Sequence, residues 1–504
     1  MTEPLNILLI TADQWRADCL SIAGHPMVKT PNLDDLAREG VRFSSHFASA
    51  APCGPSRASL HTGLYLQNHR SVTNGTPLDR RHGNWAMACA ATGHDPVLFG
   101  YTDTSADPRG LKPDDPRLFT YEGLLPGIRP IVPLDGRPKA WVEHLAAKGY
   151  EIPSDLERAY GFRRPGPEWE DGAAHPRPLA FPSGVDDTAF LMGEAMAWMA
   201  AARRPFALHL SLLRPHPPWV APEPFNALYD PAAVPPFARL ESPEEEARQH
   251  PYLAWRLSRQ GYLAHAEEKR LRRLKAVYFG LVTRVDAAVG ELMDFLRTSG
   301  LLETTLIVFT SDHGEELGDH WTLQKGGYFD EAWRVPLIIR DPRPAADHAR
   351  GRLVDSFTEH VDVVPTLLSA IGAPVGAEID GEDLSPFLRG EAEPAGWRQE
   401  AHFEFDFRDV PHGAPERALG ISLDQCCLNV IRGRRWKYVH FAALPPLLFD
   451  LAADPHELHD IAADPEAAAP MLASAQKLLS WRMQHDEHGL DRMALTDKGL
   501  VVRA

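Results

Sequence analysis

The chain has 504 residues, 44% of them hydrophobic, so it can bury a large core, and it carries a formal net charge of −17. A surface this acidic argues against nucleic acid or an anionic membrane as the main partner, so an anionic substrate would need local positive charge. The five cysteines do not suit a disulfide framework, and no secretory leader or membrane-spanning run is found, so we expect a cytoplasmic protein.

The predicted elements alternate between buried strands and amphipathic helices. Residues 6–11 form an unbroken apolar run, typical of a strand covered on both faces, and residues 31–40 predict a helix that stops at a glycine. Later strands are predicted at 95–100, 205–213, 305–310, 335–340 and 353–357, and later helices at 84–92, 187–203, 267–296 and 361–371. This alternation predicts an α/β fold, a doubly wound and mostly parallel sheet between helix layers.

Composition shifts divide the chain into two predicted parts. Residues 1–390 form the predicted catalytic domain, with irregular insertions at about 104–185 and 219–265 that are rich in proline, glycine and charge. Residues 391–504 form a smaller α+β domain. Its predicted strands are 402–407, 427–431 and 436–441, followed by a helix at 467–485 and an irregular tail.

A short helix is predicted to begin at Cys53. Pro55 suits the first turn of a helix, where a missing N–H costs nothing, and Gly63 suits its end. Cys53 therefore lies where free N–H groups and the helix dipole favour an anion. Arg57, four residues further on, faces the same side and is expected to bind that anion.

Polar residues follow two of the predicted buried strands. Asp13 and Gln14 come after the strand at 6–11, and Asp312 and His313 come after the strand at 305–310. In a doubly wound sheet these strand ends meet at one edge, where ligands bind. Carboxylates and an imidazole brought together there predict a site for a divalent cation.

Two motifs resemble those of a known enzyme family. The run Cys53-Gly54-Pro55-Ser56-Arg57, with Leu60-His61-Thr62-Gly63 downstream, resembles the sulfatase signature. Residues 310–315 resemble the second metal-binding motif of sulfatases and of the wider alkaline phosphatase superfamily. Runs at 63–65, 68–70, 214–218, 403–409 and 437–446 are most similar to the branch of phosphonate monoester hydrolases and cytoplasmic arylsulfatases.

The resemblance implies an alkaline-phosphatase-like fold and a modified nucleophile. A formylglycine-generating enzyme would oxidise Cys53 to formylglycine, an aldehyde whose hydrate attacks sulfur or phosphorus. The implied ligands of one divalent metal ion are Asp13, Gln14, Cys53, Asp312 and His313. Because Gln14 replaces an Asp and His313 replaces an Asn of the ordinary arylsulfatase pattern, Mn²⁺ is favoured, with Ca²⁺ as the alternative. The branch also implies a homodimer or a dimer of dimers.

Further roles follow from the same resemblance. It assigns catalysis to Cys53, Arg57, His216 and Lys325, and substrate binding to Asn74 and Tyr101. Asp103 is also placed in the substrate site. A carboxylate there would repel a dianionic phosphate monoester and tolerate a monoanion such as a sulfate monoester, a phosphonate monoester or a phosphodiester.

The leading prediction is a formylglycine- and metal-dependent arylsulfatase that acts on a small-molecule ester. The alternative is a phosphonate monoester or phosphodiester hydrolase that uses the same site. A different class, an inactive anion-binding protein, applies if Cys53 stays a thiol. A two-zinc phosphatase is less favoured, because it would need more His and Asp ligands around a Ser or Thr nucleophile.

Overall fold

A computed structural model describes residues 5–134, 138–152, 177–203 and 205–502. The strands are β1 (Asn6–Ala12), β2 (Val41–Phe43), β3 (His46–Phe47), β4 (Ala50–Ala51), β5 (Asp95–Gly100), β6 (Arg129–Pro133), β7 (Phe206–Leu212), β8 (Thr305–Thr310), β9 (Leu337–Arg340), β10 (Arg352–Val354), β11 (Thr358–Glu359), β12 (Ala401–Asp406), β13 (Cys427–Arg432), β14 (Trp436–Phe441), β15 (Leu447–Asp450), β16 (Met493–Thr496) and β17 (Gly499–Val502).

The helices are α1 (Pro31–Glu39), α2 (Cys53–Thr62), α3 (Leu66–His69), α4 (Trp85–Ala91), α5 (Lys139–Ala147), α6 (Asp187–Ala201), α7 (Pro243–Ala247), α8 (Pro251–Leu257), α9 (Glu268–Thr298), α10 (Asp330–Trp333), α11 (Val363–Ala370), α12 (Ser385–Leu388), α13 (Ala414–Leu419) and α14 (Ala468–Gln484). Within the described ranges, none of them combines the length and the apolar character that crossing a membrane requires.

The central sheet has eight strands in the order β10-β2-β9-β8-β1-β7-β5-β6. The run from β8 to β6 is parallel throughout, and β9 is antiparallel to both of its neighbours. The non-sequential strand order reflects crossover helices, which place helix layers on both faces. The predicted doubly wound, mostly parallel α/β fold is confirmed.

Both faces of the sheet are buried, as the unbroken apolar strands require. In β1, Leu8 and Ile10 pack against the layer that contains α1, α5, α6 and α9. Ile7 and Leu9 point the other way, toward α2, α4, α11 and α12. Successive strand residues face opposite sides, so an all-apolar strand must be covered twice.

A second sheet, in the order β15-β14-β13-β12-β4, forms the smaller C-terminal part. Its edge strand β4 comes from the N-terminal half and pairs in parallel with β12, Ala51 opposite Phe405. A cluster of aromatic side chains fills the space under this sheet, with Trp333 stacked on Phe403 at 4.4 Å between ring centroids. The predicted C-terminal sheet is confirmed, whereas a boundary at residue 390 stays a prediction.

Three segments are more regular than the sequence predicts. In the 104–185 insertion, β6 extends the main sheet and α5 packs on it, while residues 135–137 and 153–176 lie outside the described ranges. Two prolines in β6 remove the sequence pattern typical of a strand, although a strand at the edge of a sheet tolerates prolines. The 219–265 insertion contains α7 and α8, and the tail forms the hairpin β16–β17.

Candidate active site

Four neighbouring parallel strands, β8, β1, β7 and β5, end at one edge of the main sheet. The residues that follow them carry most of the predicted site, because the carboxyl ends of parallel strands converge. These residues are Asp312 and His313 after β8, Asp13 and Gln14 after β1, His216 after β7, and Tyr101 and Asp103 after β5.

Helix α2 brings Cys53 to the same edge. The helix begins at Cys53, directly after β4, and ends at Gly63, whose φ of 73° is a left-handed conformation that suits glycine. The N–H of Gly54 donates to Asn74 Oδ1 at 2.8 Å. A Cβ on Gly54 would lie 3.1 Å from that oxygen and 3.3 Å from the carbonyl oxygen of Asp103. Asn74 and Asp103 therefore close tightly around the start of the helix.

Asp13, Cys53, Asp312 and His313 form a buried cluster in which one ligand atom of each lies within 4.8 Å of the others. His313 Nδ1 donates to the carbonyl of Gly314 at 2.9 Å, so its Nε2 presents a lone pair toward Cys53 Sγ at 3.1 Å. Among the described residues, Asp13 Oδ1 is buried without a hydrogen-bond partner. Two carboxylates, one of which has this unpartnered oxygen, and an imidazole nitrogen fit a divalent cation.

Arg57, four residues after Cys53 on α2, binds the two carboxylates of this cluster. Its Nε donates to Asp312 Oδ2 and its Nη2 donates to Asp13 Oδ2, both at 3.0 Å. Nη1 donates to Ser211 Oγ at 2.9 Å, and the guanidinium lies 4.4 Å from the ring centroid of Tyr101. The fully buried guanidinium thus fixes two carboxylates at once, a geometry that the planar fork of arginine allows.

Lys325 approaches the cluster from a different loop. Its Nζ donates to Gln14 Oε1 at 2.8 Å and lies 3.3 Å from His216 Nε2. The amide nitrogen of Gln14 donates to Glu315 Oε2, so both ends of this side chain are engaged. Burial lowers the pKa of Lys325 and the surrounding acidic groups raise it, with a net upward shift, so the ammonium stays charged.

His216 is neutral in this arrangement. Its Nδ1 donates to the carbonyl of Pro217 at 2.7 Å, so Nε2 accepts from Lys325. Burial, together with the charge of Lys325, lowers the pKa of His216 to about 3. The imidazole therefore receives a hydrogen bond at the site instead of delivering a second positive charge.

Tyr101 and Asp103 complete the edge that faces Arg57. The hydroxyl of Tyr101 donates to Asp13 Oδ2 at 2.6 Å, and Asp103 Oδ2 lies 3.7 Å from Arg57 Nε. Asp103 has a φ of 48°, which Asp tolerates better than most residues. Burial raises the pKa of Asp103 to about 7, against the opposing charge of Arg57.

Burial also raises the pKa of the Cys53 thiol well above its usual value, so the unmodified thiol is a weak nucleophile.

A cavity of about 890 Å³ opens beside this cluster and shares Asn74 and Lys325 with it. Its other walls come from α8 and the residues after it, and from the end of β12. The run 403–409, which resembles the family, points to part of this cavity, but no sequence pattern points to Trp255, Arg259 and Tyr262. The size is typical of small-molecule sites.

The geometry agrees with the comparison of the sequence with known families. The sulfatase family model matches residues 5–110 and 142–373, and the model named N-sulphoglucosamine sulphohydrolase, C-terminal, matches residues 318–484. The chain belongs to the sulfatase family. As a member, it is a hydrolase of the alkaline phosphatase superfamily.

This sulfatase-family hydrolase is similar over its full length to characterised proteins. It is 41% identical to the multifunctional alkaline phosphatase superfamily protein PehA of Trinickia caryophylli, over 99% of both chains. The phosphonate monoester hydrolase of Agrobacterium radiobacter superimposes with a TM-score of 0.93 at 45% identity, over 99% of this chain and all of the other. The phosphonate monoester hydrolase of Silicibacter pomeroyi gives 0.91 at 36%, over 99% of both.

Proposed function

We propose that this protein hydrolyses monoanionic phosphorus esters, namely phosphonate monoesters and phosphodiesters. The observation that carries the proposal is the full-length similarity to two phosphonate monoester hydrolases, with TM-scores of 0.93 and 0.91. The leading sequence-based prediction, an arylsulfatase, becomes the second candidate, which the match to the sulfatase family model favours. Both substrate classes carry a single negative charge on the reacting group.

The charges around Cys53 support a monoanionic ester. Asp13, Asp103 and Asp312 supply up to three negative charges, and Arg57 and Lys325 supply two positive ones. A divalent cation would leave the site with about one positive charge, which matches one negative charge on the ester better than two.

The chain's residues fit the two groups that the family uses. Asp13, Asp312 and His313, with the side chain at position 53 and with Gln14 beside them, would hold one divalent ion, and the imidazole donor favours Mn²⁺ over Ca²⁺. The ion would supply Lewis-acid stabilisation of negative charge. Formylglycine at position 53, made from Cys53 by a formylglycine-generating enzyme, would supply the nucleophilic hydroxyl as its hydrate.

The remaining residues orient the proposed metal ligands and stabilise negative charge on the ester. Arg57 holds Asp13 and Asp312 in place, so we assign it a positioning role. Lys325 keeps a positive charge where the ester oxygens accumulate negative charge, and His216 Nε2 aligns its ammonium group. Asn74 fixes the N–H of Gly54 at the start of α2, and Tyr101 holds Asp13.

A substrate panel on protein with a defined residue at position 53 tests the proposal. Mass spectrometry of the peptide around Cys53 establishes the modified fraction, and the 4-nitrophenyl esters of a phosphonate, a phosphodiester, sulfate and phosphate are then compared after loading with Mn²⁺. We expect the highest kcat/KM for the phosphonate ester. A higher value for sulfate would favour the second candidate. Failure to modify Cys53 together with ligand binding but no turnover would favour an inactive anion-binding protein.

A further inference from the structure

The cavity beside Cys53 is lined by aromatic rings from two parts of the chain. Tyr252, Trp255 and Tyr262 come from α8 and the segment after it, and Phe405 and Phe407 come from the end of β12. Lys325 and Asn74 line this cavity and also bind residues next to the cluster, since Lys325 donates to Gln14 and Asn74 accepts from Gly54. A group that leaves from an ester bound at Cys53 therefore has an aromatic surface next to it, on which a flat ring can stack.

Arg259 adds a positive charge to the same wall. Its guanidinium lies 5.2 Å from the ring centroid of Trp255 and 6.0 Å from that of Tyr262. Within residues 5–134, 138–152, 177–203 and 205–502, it contacts no carboxylate. A guanidinium that is half-buried over aromatic rings keeps its donors available for a ligand.

Arg256 lies deeper in the wall and carries a second positive charge. Its guanidinium lies 4.8 Å from the ring centroid of Tyr262, and Nη1 reaches the hydroxyl of Tyr252 at 3.5 Å. Its Nη2 lies 3.8 Å from Glu316 Oε1. Burial raises the pKa of Glu316 well above its usual value, against the opposing charge of Arg256.

The acidic residues of the cavity have partners of their own. Asp406 binds Arg408 with two contacts of 2.8 Å, and Asp409 Oδ1 binds His412 Nδ1 at 3.1 Å. The wall formed by Arg256 and Arg259 is therefore positive in a protein whose formal net charge is −17. That local charge complements an anion.

We propose that this cavity holds the leaving group of the ester, and that the leaving group is a phenol bearing a carboxylate or a similar anionic substituent, which Arg259 binds. The inference rests on the proposed hydrolysis of monoanionic esters at Cys53 and adds the class of leaving group. The aromatic walls would stack on the ring of the phenol, and the guanidinium of Arg259 would bind its anionic substituent. In the net hydrolysis, the bond between phosphorus and the phenolic oxygen breaks and a bond between phosphorus and the oxygen of water forms. One proton of that water goes to the phenolic oxygen, and the phenol leaves with its carboxylate unchanged.

The test compares charged and neutral leaving groups of the same shape. Methylphosphonate esters of 3- and 4-hydroxybenzoate are each paired with the ester of the corresponding hydroxybenzamide. The kcat/KM ratio of each pair is measured for the wild type, Arg259→Gln, Arg259→Lys and a matched surface control, Arg38→Gln. Dividing the wild-type ratio by the variant ratio removes the different intrinsic reactivities of the phenols.

We expect Arg259→Gln to lose about tenfold on a hydroxybenzoate ester, since a hydrogen bond to a charged group is worth about that factor. The benzamide esters should change by less than about twofold, Arg259→Lys should retain most of the preference, and Arg38→Gln should match the wild type. Competitive inhibition by free hydroxybenzoate should weaken in parallel. Equal losses on charged and neutral esters, or no loss on the charged ones, would overturn the inference.

Failure of the proposed function gives a different result. If the wild type hydrolyses neither phosphonate monoesters nor phosphodiesters, that proposal is rejected, and the same four phenols are then compared as sulfate monoesters. A preference for the carboxylate that depends on Arg259 would still support the leaving-group site, and its absence would reject it.

Discussion

Replacing Asp103 by Asn should relax discrimination against dianionic phosphate monoesters. The change removes a carboxylate whose Oδ2 lies 3.7 Å from Arg57 Nε. The carbonyl oxygen of Asp103 would lie 3.3 Å from a Cβ on Gly54, at the start of α2. The two charges are the Asp103 carboxylate and the second negative charge of a phosphate monoester. At an effective dielectric constant of about 20 and a separation of about 7 Å, they repel each other by about 2.4 kcal/mol. Partial ionisation reduces this, so we expect kcat/KM for 4-nitrophenyl phosphate to rise about tenfold relative to a phosphonate monoester.

The pH dependence makes this prediction specific. The pKa of Asp103 is raised by burial to about 7, so its negative charge is present above that pH and is lost below it. The ratio of phosphate to phosphonate kcat/KM in Asp103→Asn, divided by that in the wild type, should approach one at about pH 5.5 and reach its full value at about pH 8.5. This quotient cancels the titration of the phosphate ester itself.

The matched control is Asp114→Asn, an exposed carboxylate later in the same loop, which should leave the quotient at one. A quotient that stays at one for Asp103→Asn at every pH would refute the electrostatic argument. A rise that does not depend on pH would show that Asp103 acts through its shape, not through its charge.

The other predictions concern the nucleophile, the cation and Lys325. Cys53→Ala should lower kcat by at least about a thousandfold while circular dichroism stays unchanged, and residual turnover near that of the wild type would exclude Cys53 as the nucleophile. Removal of divalent ions by a chelator should abolish turnover and Mn²⁺ should restore it. In Asp13→Asn, the Mn²⁺ concentration needed for half-maximal turnover should rise at least about tenfold, as measured by titrating the activity with Mn²⁺. Lys325→Gln should lower kcat about a hundredfold with a smaller change in KM, and a pure KM effect would contradict its role in the transition state.

Much of the fold was readable because its strands are covered on both faces. The predicted strands at 95–100 and 305–310 match β5 and β8 residue for residue. A strand that is buried on both faces is apolar along its length, so it can be recognised without a pattern of alternating polar and apolar residues. Strand β6, with two prolines and an exposed edge, carries no such signal. The tail hairpin was missed for a related reason, because its residues are exposed and pack on no core that would pattern them.

The site was predictable where local sequence determines position. Asp13 and Asp312 follow buried strands directly, so their meeting at one edge follows from the fold class. The contacts of Arg57 were not predictable in this way, because they depend on how α2 is placed against that edge. Sequence spacing predicts only that Arg57 shares a helix face with Cys53, and the structure adds its hydrogen bonds to Asp312 and Asp13.

The two-residue strand β4 links the proposed nucleophile, at position 53, to strand β12 of the C-terminal sheet. Its hydrogen bonds to β12 anchor the residues immediately before Cys53, so the position of that side chain depends on a stretch some 350 residues later in the sequence. A chain shortened to residue 390 would keep every proposed metal ligand yet lose this anchor, and we expect it to be inactive. On this reasoning, the C-terminal sheet helps to shape the proposed active site.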